Sequence, residues 1–197
     1  MIEANSPSPS HGALPLRVAV LGAECTGKST LITRLVQALA AQNPLCVVVA
    51  VPETLRAWCA ARGRSPAQAE QASIAAAQSD AIAQACTQQK TDFVVADTTR
   101  LMTAVYSEVY FSDRTLYPAA LSELRGFDAV WVCAPDMPWQ PDGIQRDGPL
   151  ARDKVDALLR ATLTEAGITF VVLSGTLDKR LTQAIAMAGV MRLQFCR

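Results

Sequence analysis

Apolar positions along this chain fall into short β-branched runs, separated by longer stretches in which they recur every three or four residues. The first run, RVAVL at 17–21, meets Gly22, and helical spacing follows from Ser29 to Ala41; the text reads strand, loop, helix. A second run, Leu45 to Val51, stops at Pro52-Glu53 and leads into the helix-forming residues Thr54 to Arg62. The segment RGRSP at 62–66 breaks the chain, with Ser65 suited to an N-cap and Pro66 to a first helical position. Ala67 to Lys90 has no Gly or Pro and is predicted as one long helix rich in Ala and Gln. Phe93 to Ala96 forms the third strand, closed by DTT at 97–99, with helices from Arg100 to Phe111 and about Thr115 to Leu124.

A fourth strand, Ala129 to Cys133, gives way to APDMPWQPDG at 134–143, whose prolines and glycine exclude regular structure and predict a long exposed loop. A helix from about Ala151 to Ala166, a fifth strand from Ile168 to Leu173 and a closing helix from about Leu177 to Met191 complete the pattern. Near-continuous apolar strands alternating with helices predict a parallel sheet covered on both faces. No internal repeat or second domain is visible. Residues 1–14 are expected to be a disordered leader and 15–197 a single domain.

Composition narrows the partners. The 197 residues are 50% hydrophobic and 18% charged, enough for an ample core. With 18 basic against 18 acidic residues, the chain has no excess charge that would predict nucleic acid or an anionic membrane as partner. Mean hydropathy is +0.18, but charged or polar residues interrupt every apolar stretch well short of the ~18 residues of a membrane span. The N-terminus MIEANSPSPSHGALP has neither the apolar core of a secretory signal nor the arginines of a transit peptide. Six cysteines are scattered without a CxxC pair, which predicts a reducing, cytoplasmic setting and no metal cluster. His11, the only histidine, lies in the leader and is given no role.

Chemistry enters at Gly22-Ala23-Glu24-Cys25-Thr26-Gly27-Lys28-Ser29, which fits GxxxxGK[ST] between a predicted strand and a helix N-terminus, with Thr30 next in the helix. The glycines let successive N–H groups face an anion, the helix dipole adds positive charge, and Lys28 can reach β- and γ-phosphates. Ser29 can ligate Mg²⁺. Cys25 is a tolerated small residue, since such a cradle works through its backbone. Asp97 ends an apolar strand at the edge where open α/β sheets bind ligands, and can hold Mg²⁺, cap the next helix, or both. Glu53 ends the second strand, where a carboxylate can orient a hydroxyl and take its proton; a first-turn acid favouring the helix dipole is the competing reading.

Five segments in order, VAVLGAECTGKSTL, VPETLRAW, VVADTT, TAVYSEVYF and PWQPDGIQRD, resemble the ribosylnicotinamide kinase domain of NadR-type proteins and their stand-alone P-loop relatives. The resemblance covers about residues 16–190. VPETLRAW is also similar to the Pro-Glu segment of deoxynucleoside kinases, whose Glu is the catalytic base, so both families imply that role for Glu53. The resemblance implies a P-loop NTPase fold, a three-layer α/β/α sandwich with five parallel strands in the order 2-3-1-4-5 and a mobile lid at about 135–152.

It also implies an ATP- and Mg²⁺-dependent kinase acting on the 5′-hydroxyl of a small nucleoside, nicotinamide riboside first. Lys28 and the loop amides would hold phosphate, Ser29 and Asp97 the metal, and Arg146 with Arg152 would close over the transferring group. Asp142 and Gly143 shape the lid turn, and Trp139 can anchor it. Gln78 and Asp80 on the long helix can contact nucleoside or form a solvated face. Tyr106 and Tyr110, four apart, can cover the acceptor or pack in the core. Arg56 can touch substrate or support Glu53.

Two departures bear on substrate. Thr99 stands where ribosylnicotinamide kinases carry a second acid, and neither an adenylyltransferase nor a helix-turn-helix domain accompanies this chain. A deoxynucleoside or other small-molecule kinase, and an ATPase or regulatory nucleotide-binding module without small acceptor, remain alternatives. Homo-oligomerisation is left open.

Overall fold

The computed structural model describes residues 14–139 and 148–195. The expected leader therefore lies almost wholly outside the described residues, as do Arg146, Asp142 and Gly143 of the expected lid.

The central strand β1 (Leu16–Leu21) is followed by α1 (Lys28–Gln42), β2 (Val48–Val51), α2 (Thr54–Arg62) and α3 (Gln68–Cys86). Then come β3 (Phe93–Asp97), α4 (Arg100–Phe111), α5 (Tyr117–Leu124), β4 (Ala129–Cys133), α6 (Pro149–Glu165), β5 (Val171–Leu173) and α7 (Leu177–Phe195). The five strands are parallel and ordered β2-β3-β1-β4-β5, as the sequence resemblance implied.

Strand alternation divides the core between the two faces of the sheet. Val18 and Val20 of β1 pack with Trp131 and Cys133 of β4 beneath Leu31, Leu35, Ala184 and Ala188 of α1 and α7. Ala19 and Leu21 pack with Val130 and Val132 beneath Leu101, Val105, Leu159 and Leu163 of α4 and α6. Being covered on both sides is why these strands read as continuous apolar text. A third cluster joins Ile82 and Ala85 of α3 to Val51, Val94 and Ala96.

Several boundaries differ from the sequence expectation. Strand β2 begins at Val48, because Asn43 and Cys46 form a turn and the Val47 N–H is taken by the Asp92 carboxylate at 2.7 Å. Helix α3 starts at Gln68 with Ala67, not Ser65, at its N-cap. Glu70 supplies the cap instead, accepting the Ala67 N–H at 2.8 Å, and its own carboxyl is pulled down to about 2, mainly by Arg64. The helix ends at Cys86, and Lys90 adopts a left-handed φ of 63° in the turn before β3. At the sheet edge β5 contributes only Val171–Leu173.

With every strand parallel, all carboxyl ends fall on one edge of the sheet, and five connecting loops meet there. No helix among the described residues is long and apolar enough to cross a membrane.

Candidate active site

The loop after β1 wraps into a cradle. Gly22 and Gly27 take positive φ values of 142° and 74°, and Cys25 accepts 56° despite its side chain. A Cβ on Gly22 would stand 2.8 Å from the Cys133 carbonyl oxygen, so only glycine fits beside β4. Thr26 folds its hydroxyl back onto the Ala23 carbonyl at 2.8 Å. Gly27 caps α1 without a side chain, so nothing on the cap covers the first amides. Lys28 is buried, and its ammonium donates to the carbonyls of Gly22 and Ala23 at 2.8 and 2.9 Å, bracing the loop from within.

Beside the cradle, the Ser29 hydroxyl donates to Asp97 Oδ2. Asp97 is buried, and its Oδ1 has no hydrogen-bond partner. It does not cap α4: Thr99 does, accepting the Leu101 N–H at 3.3 Å. A hydroxyl paired with a buried carboxylate that keeps an unsatisfied oxygen is a hard donor set of the kind Mg²⁺ takes.

A cavity of about 440 Å³ opens from the loop and extends between Glu53, Arg56, Gln71 and Tyr106. Glu53 is the N-cap of α2, yet its side chain makes no capping bond. Gln78 takes over that duty from α3: its Oε1 accepts the Thr54 N–H at 2.8 Å and its Nε2 donates to the Pro52 carbonyl at 3.4 Å. The Glu53 carboxylate is thereby left to face the cavity. Burial raises its pKa above the ordinary value; Lys28 and Arg56 oppose that shift, while Asp97 and Glu24 add to it.

Across the cavity, Tyr106 and Tyr110 stack with ring centroids 6.2 Å apart, and the Tyr106 hydroxyl donates to Glu24 Oε2 at 3.4 Å. Burial, then Glu53 and Glu24, push the Tyr106 pKa well up, so the phenol keeps its proton.

Of the residues expected at the site, the loop residues from Glu24 to Thr30, Glu53, Arg56 and Tyr106 line one chamber, with Arg56 exposed at its rim. Gln78 does not reach the chamber wall, because both ends of its carboxamide are held by the backbone around Glu53. Asp80 points to solvent on the outer face of α3 and is likewise absent from the wall. Arg152 is buried rather than solvated: it donates to the Met137 carbonyl at 2.8 Å and pairs with Asp153 at 3.5 Å. It ties down the segment after β4, which brings Met137 against Gly27.

Two residues escaped the sequence reading. Gln71 lines the chamber, 3% exposed, with its Oε1 unpartnered. Arg180 on α7 is fully buried at the sheet edge and donates to the carbonyls of Thr26 at 2.7 Å, Ala134 at 3.0 Å and Gly175 at 3.0 Å. It also pairs with Asp136, whose other oxygen accepts the Gly175 N–H at 2.6 Å. One guanidinium thus joins the phosphate loop, the end of β4 and the turn before α7.

A strand, a glycine cradle, a buried lysine and a Ser–Asp pair at the carboxyl edge of a 2-3-1-4-5 parallel sheet define a P-loop nucleotide-binding domain. The sequence matches the family described as an AAA domain over residues 17–180, and the chain belongs to that family. Among solved structures it is similar to NadR protein in complex with NR, at a TM-score of 0.74 and 22% identity over 89% of this chain and 51% of that one. A second NadR structure, in complex with NAD and AMP-PNP, gives 0.70 and 21% over 89% and 49%. Deoxyadenosine kinase from M. mycoides with bound products gives 0.56 and 13% over 91% and 100%. The chain spans about half the length of the NadR structures it matches. At these identities the likeness is one of fold. No curated protein gives a match.

Proposed function

We propose that this chain is an ATP-dependent kinase that transfers a γ-phosphoryl group to the 5′-hydroxyl of a nucleoside, with nicotinamide riboside as the first candidate acceptor. The observation that carries the reading is the shared chamber: the phosphate loop forms one end, and a carboxylate relieved of its capping duty faces the same space. Beyond the nucleotide itself, hydrolysis needs room only for water, whereas this chamber continues from the phosphate loop past Glu53 to Tyr106 and Tyr110, a wall that suits a bound nucleoside.

In this mechanism the loop amides and Lys28 hold the phosphates, with Lys28 leaving its carbonyl partners to follow the charge. Ser29 and Asp97 would hold Mg²⁺, which when bound supplies charge neutralisation at the phosphates. Glu53 accepts a hydrogen bond from the acceptor hydroxyl and takes its proton as that oxygen bonds to the γ-phosphorus, while the bond from the γ-phosphorus to the bridging oxygen breaks and ADP leaves. Its raised pKa makes it a better proton acceptor than a solvated carboxylate. Tyr106, kept protonated, donates to Glu24 and forms part of the chamber wall. NadR binds NR in its crystal structure, and the shared fold supports testing that nucleoside first.

The experiment is ADP release from Mg-ATP by the purified protein, without acceptor, with nicotinamide riboside, and with a panel of ribo- and deoxynucleosides, product masses being confirmed. Strong stimulation by a nucleoside, lost in Glu53→Gln while ATP affinity persists, is expected. Release indifferent to every nucleoside would replace the kinase with an ATPase or switch, and unchanged turnover in Glu53→Gln would remove Glu53 from the chemistry.

A further inference from the structure

Glu53 sits where an acid has a competing use. As the N-cap residue of α2 it precedes helix amides that a side-chain oxygen at that position ordinarily accepts from, yet it makes no such bond. Helix α2 does not hold this junction by its own packing, since Cys59 is the only buried residue among its nine. Gln78 holds it from α3, where it is 2% exposed. Its carboxamide touches both peptide planes that meet at the Glu53 Cα, one through the Thr54 N–H at 2.8 Å and the other through the Pro52 carbonyl at 3.4 Å. With both planes held, φ and ψ at Glu53 are fixed at −68° and 112°, and so is the direction of its Cα–Cβ bond. The anchor is itself anchored: Ile82 and Ala85, one and two turns further along α3, pack on Val51 of β2 and on Val94 and Ala96 of β3. Glu53 is thereby referenced to the strand that ends in Asp97.

We propose that Gln78 is a positioning residue for the base, which by gripping the peptides on either side of Glu53 keeps the carboxylate turned into the chamber and away from the amides of its own helix. This rests on the nucleoside-kinase reading. Gln78 does not line the chamber, so it acts through Glu53 and reads nothing of the acceptor. Cutting both bonds frees the two planes, and the first-turn amides and the helix dipole then compete for the carboxylate. Both favour its charged form, so a carboxylate that turns toward them becomes a weaker base as well as a displaced one.

The test compares the wild type with Gln78→Met, which is close in shape but makes neither bond. Gln78→Asn, which keeps the carboxamide but withdraws it by a methylene, is expected to fall between and serves as the test if the Met variant does not fold. Phosphoryl transfer from Mg-ATP is measured with nicotinamide riboside, cytidine and deoxyadenosine. In Gln78→Met, kcat is expected to fall by about ten- to a hundredfold, by the same factor for every acceptor that turns over, with KM for ATP within about twofold of wild type. The second readout is the titration of Glu53 itself, followed by NMR of its carboxyl carbon and assigned by the signal that Glu53→Gln lacks. The groups facing it are Lys28 of α1, Glu24 of the phosphate loop, Arg56 of α2, Asp97 of β3 and Tyr106 of α4. All are kept in the variants, so a movement of the titration reports the carboxylate's own surroundings. Burial places it above the ordinary value in the wild type, and in Gln78→Met it is expected to move down.

A change in the ranking of acceptors makes Gln78 a reader of the nucleoside, and overturns the inference while the kinase reading stands. Earlier unfolding with wild-type kcat and an unmoved Glu53 titration, which is all that a purely structural glutamine would produce, overturns it as well. If the wild type transfers phosphate to no nucleoside, the kinase reading falls by itself, and the titration still decides whether Gln78 holds the Glu53 carboxylate in place.

Discussion

Replacing Arg180 with Met removes the fork that ties three loops of the active edge together. The carbonyls of Thr26 and Ala134 belong to residues that are 1% and 8% exposed, and they would lose their donors with no ready access to water. The Gly175 carbonyl and Asp136 lie nearer the surface and rehydrate. Two buried acceptors at about 1–3 kcal/mol each, with the Met side chain only replacing an Arg stem that is already buried, give a loss of about 3–4 kcal/mol near the middle of the summed range, within the range for breaking a buried ion pair. With a urea slope of about 2 kcal/mol per molar, the unfolding midpoint should fall by about 1.5–2 M. Circular dichroism against urea reads this directly. Arg180→Lys keeps the charge but not the planar fork, and should recover only part of the loss. The peptide plane whose carbonyl Arg180 holds carries the Gly27 N–H on its other side, so nucleotide affinity should fall as well. A Met variant within about 1 kcal/mol of wild type would refute the argument, and full recovery by Lys would show that charge, not geometry, is what Arg180 contributes.

Three further outcomes are expected. Lys28→Ala removes the brace on Gly22 and Ala23 together with the phosphate-seeking cation, and should weaken ATP binding by about tenfold or more in a calorimetric titration; affinity within about twofold of wild type would contradict this. Gly22→Ala forces a Cβ to 2.8 Å from the Cys133 carbonyl at a φ of 142°, and should cost about 2 kcal/mol or more in thermal unfolding. Because burial raises the Glu53 pKa above 4.5, and only the ionised form accepts a proton, kcat should rise with pH through a pKa above the ordinary carboxylate value. That acid limb should vanish from the residual activity of Glu53→Gln, and an identical limb in the variant would assign it to another group.

Much of the architecture was legible because it rests on local signals. Continuous apolar strands, the glycine loop with its Lys-Ser pair, Glu53 just past β2 and Asp97 at the end of β3 each announce their place at one sheet edge. The polar lining was harder to read. Helix α3 has alanine on every side, so composition hides which face is buried; the structure buries Gln71, Ile74, Ala75, Gln78, Ile82 and Ala85 along one stripe. Gln71 and Gln78 stand on that stripe while Asp80 stands off it, a distinction that helical spacing carries but that the weak contrast of the faces conceals. Arg180 left a similar trace, four residues before Ala184 and eight before Ala188 on the buried face of α7, where a charge is out of place. Its partners are carbonyls far along the chain, and no sequence pattern specifies them.

The exchange of duties at the start of α2 links two properties that are usually separable. Gln78 grips the backbone on both sides of Glu53, and Gln71 sits two turns earlier on the same rigid helix, roughly 10 Å away along its axis. The wall of the chamber at Gln71 and the grip on the backbone around Glu53 are therefore two ends of one rigid element. A shift of α3 that reshapes the chamber wall at Gln71 therefore also moves the backbone that carries Glu53, so the space offered to a ligand and the direction of that carboxylate change together.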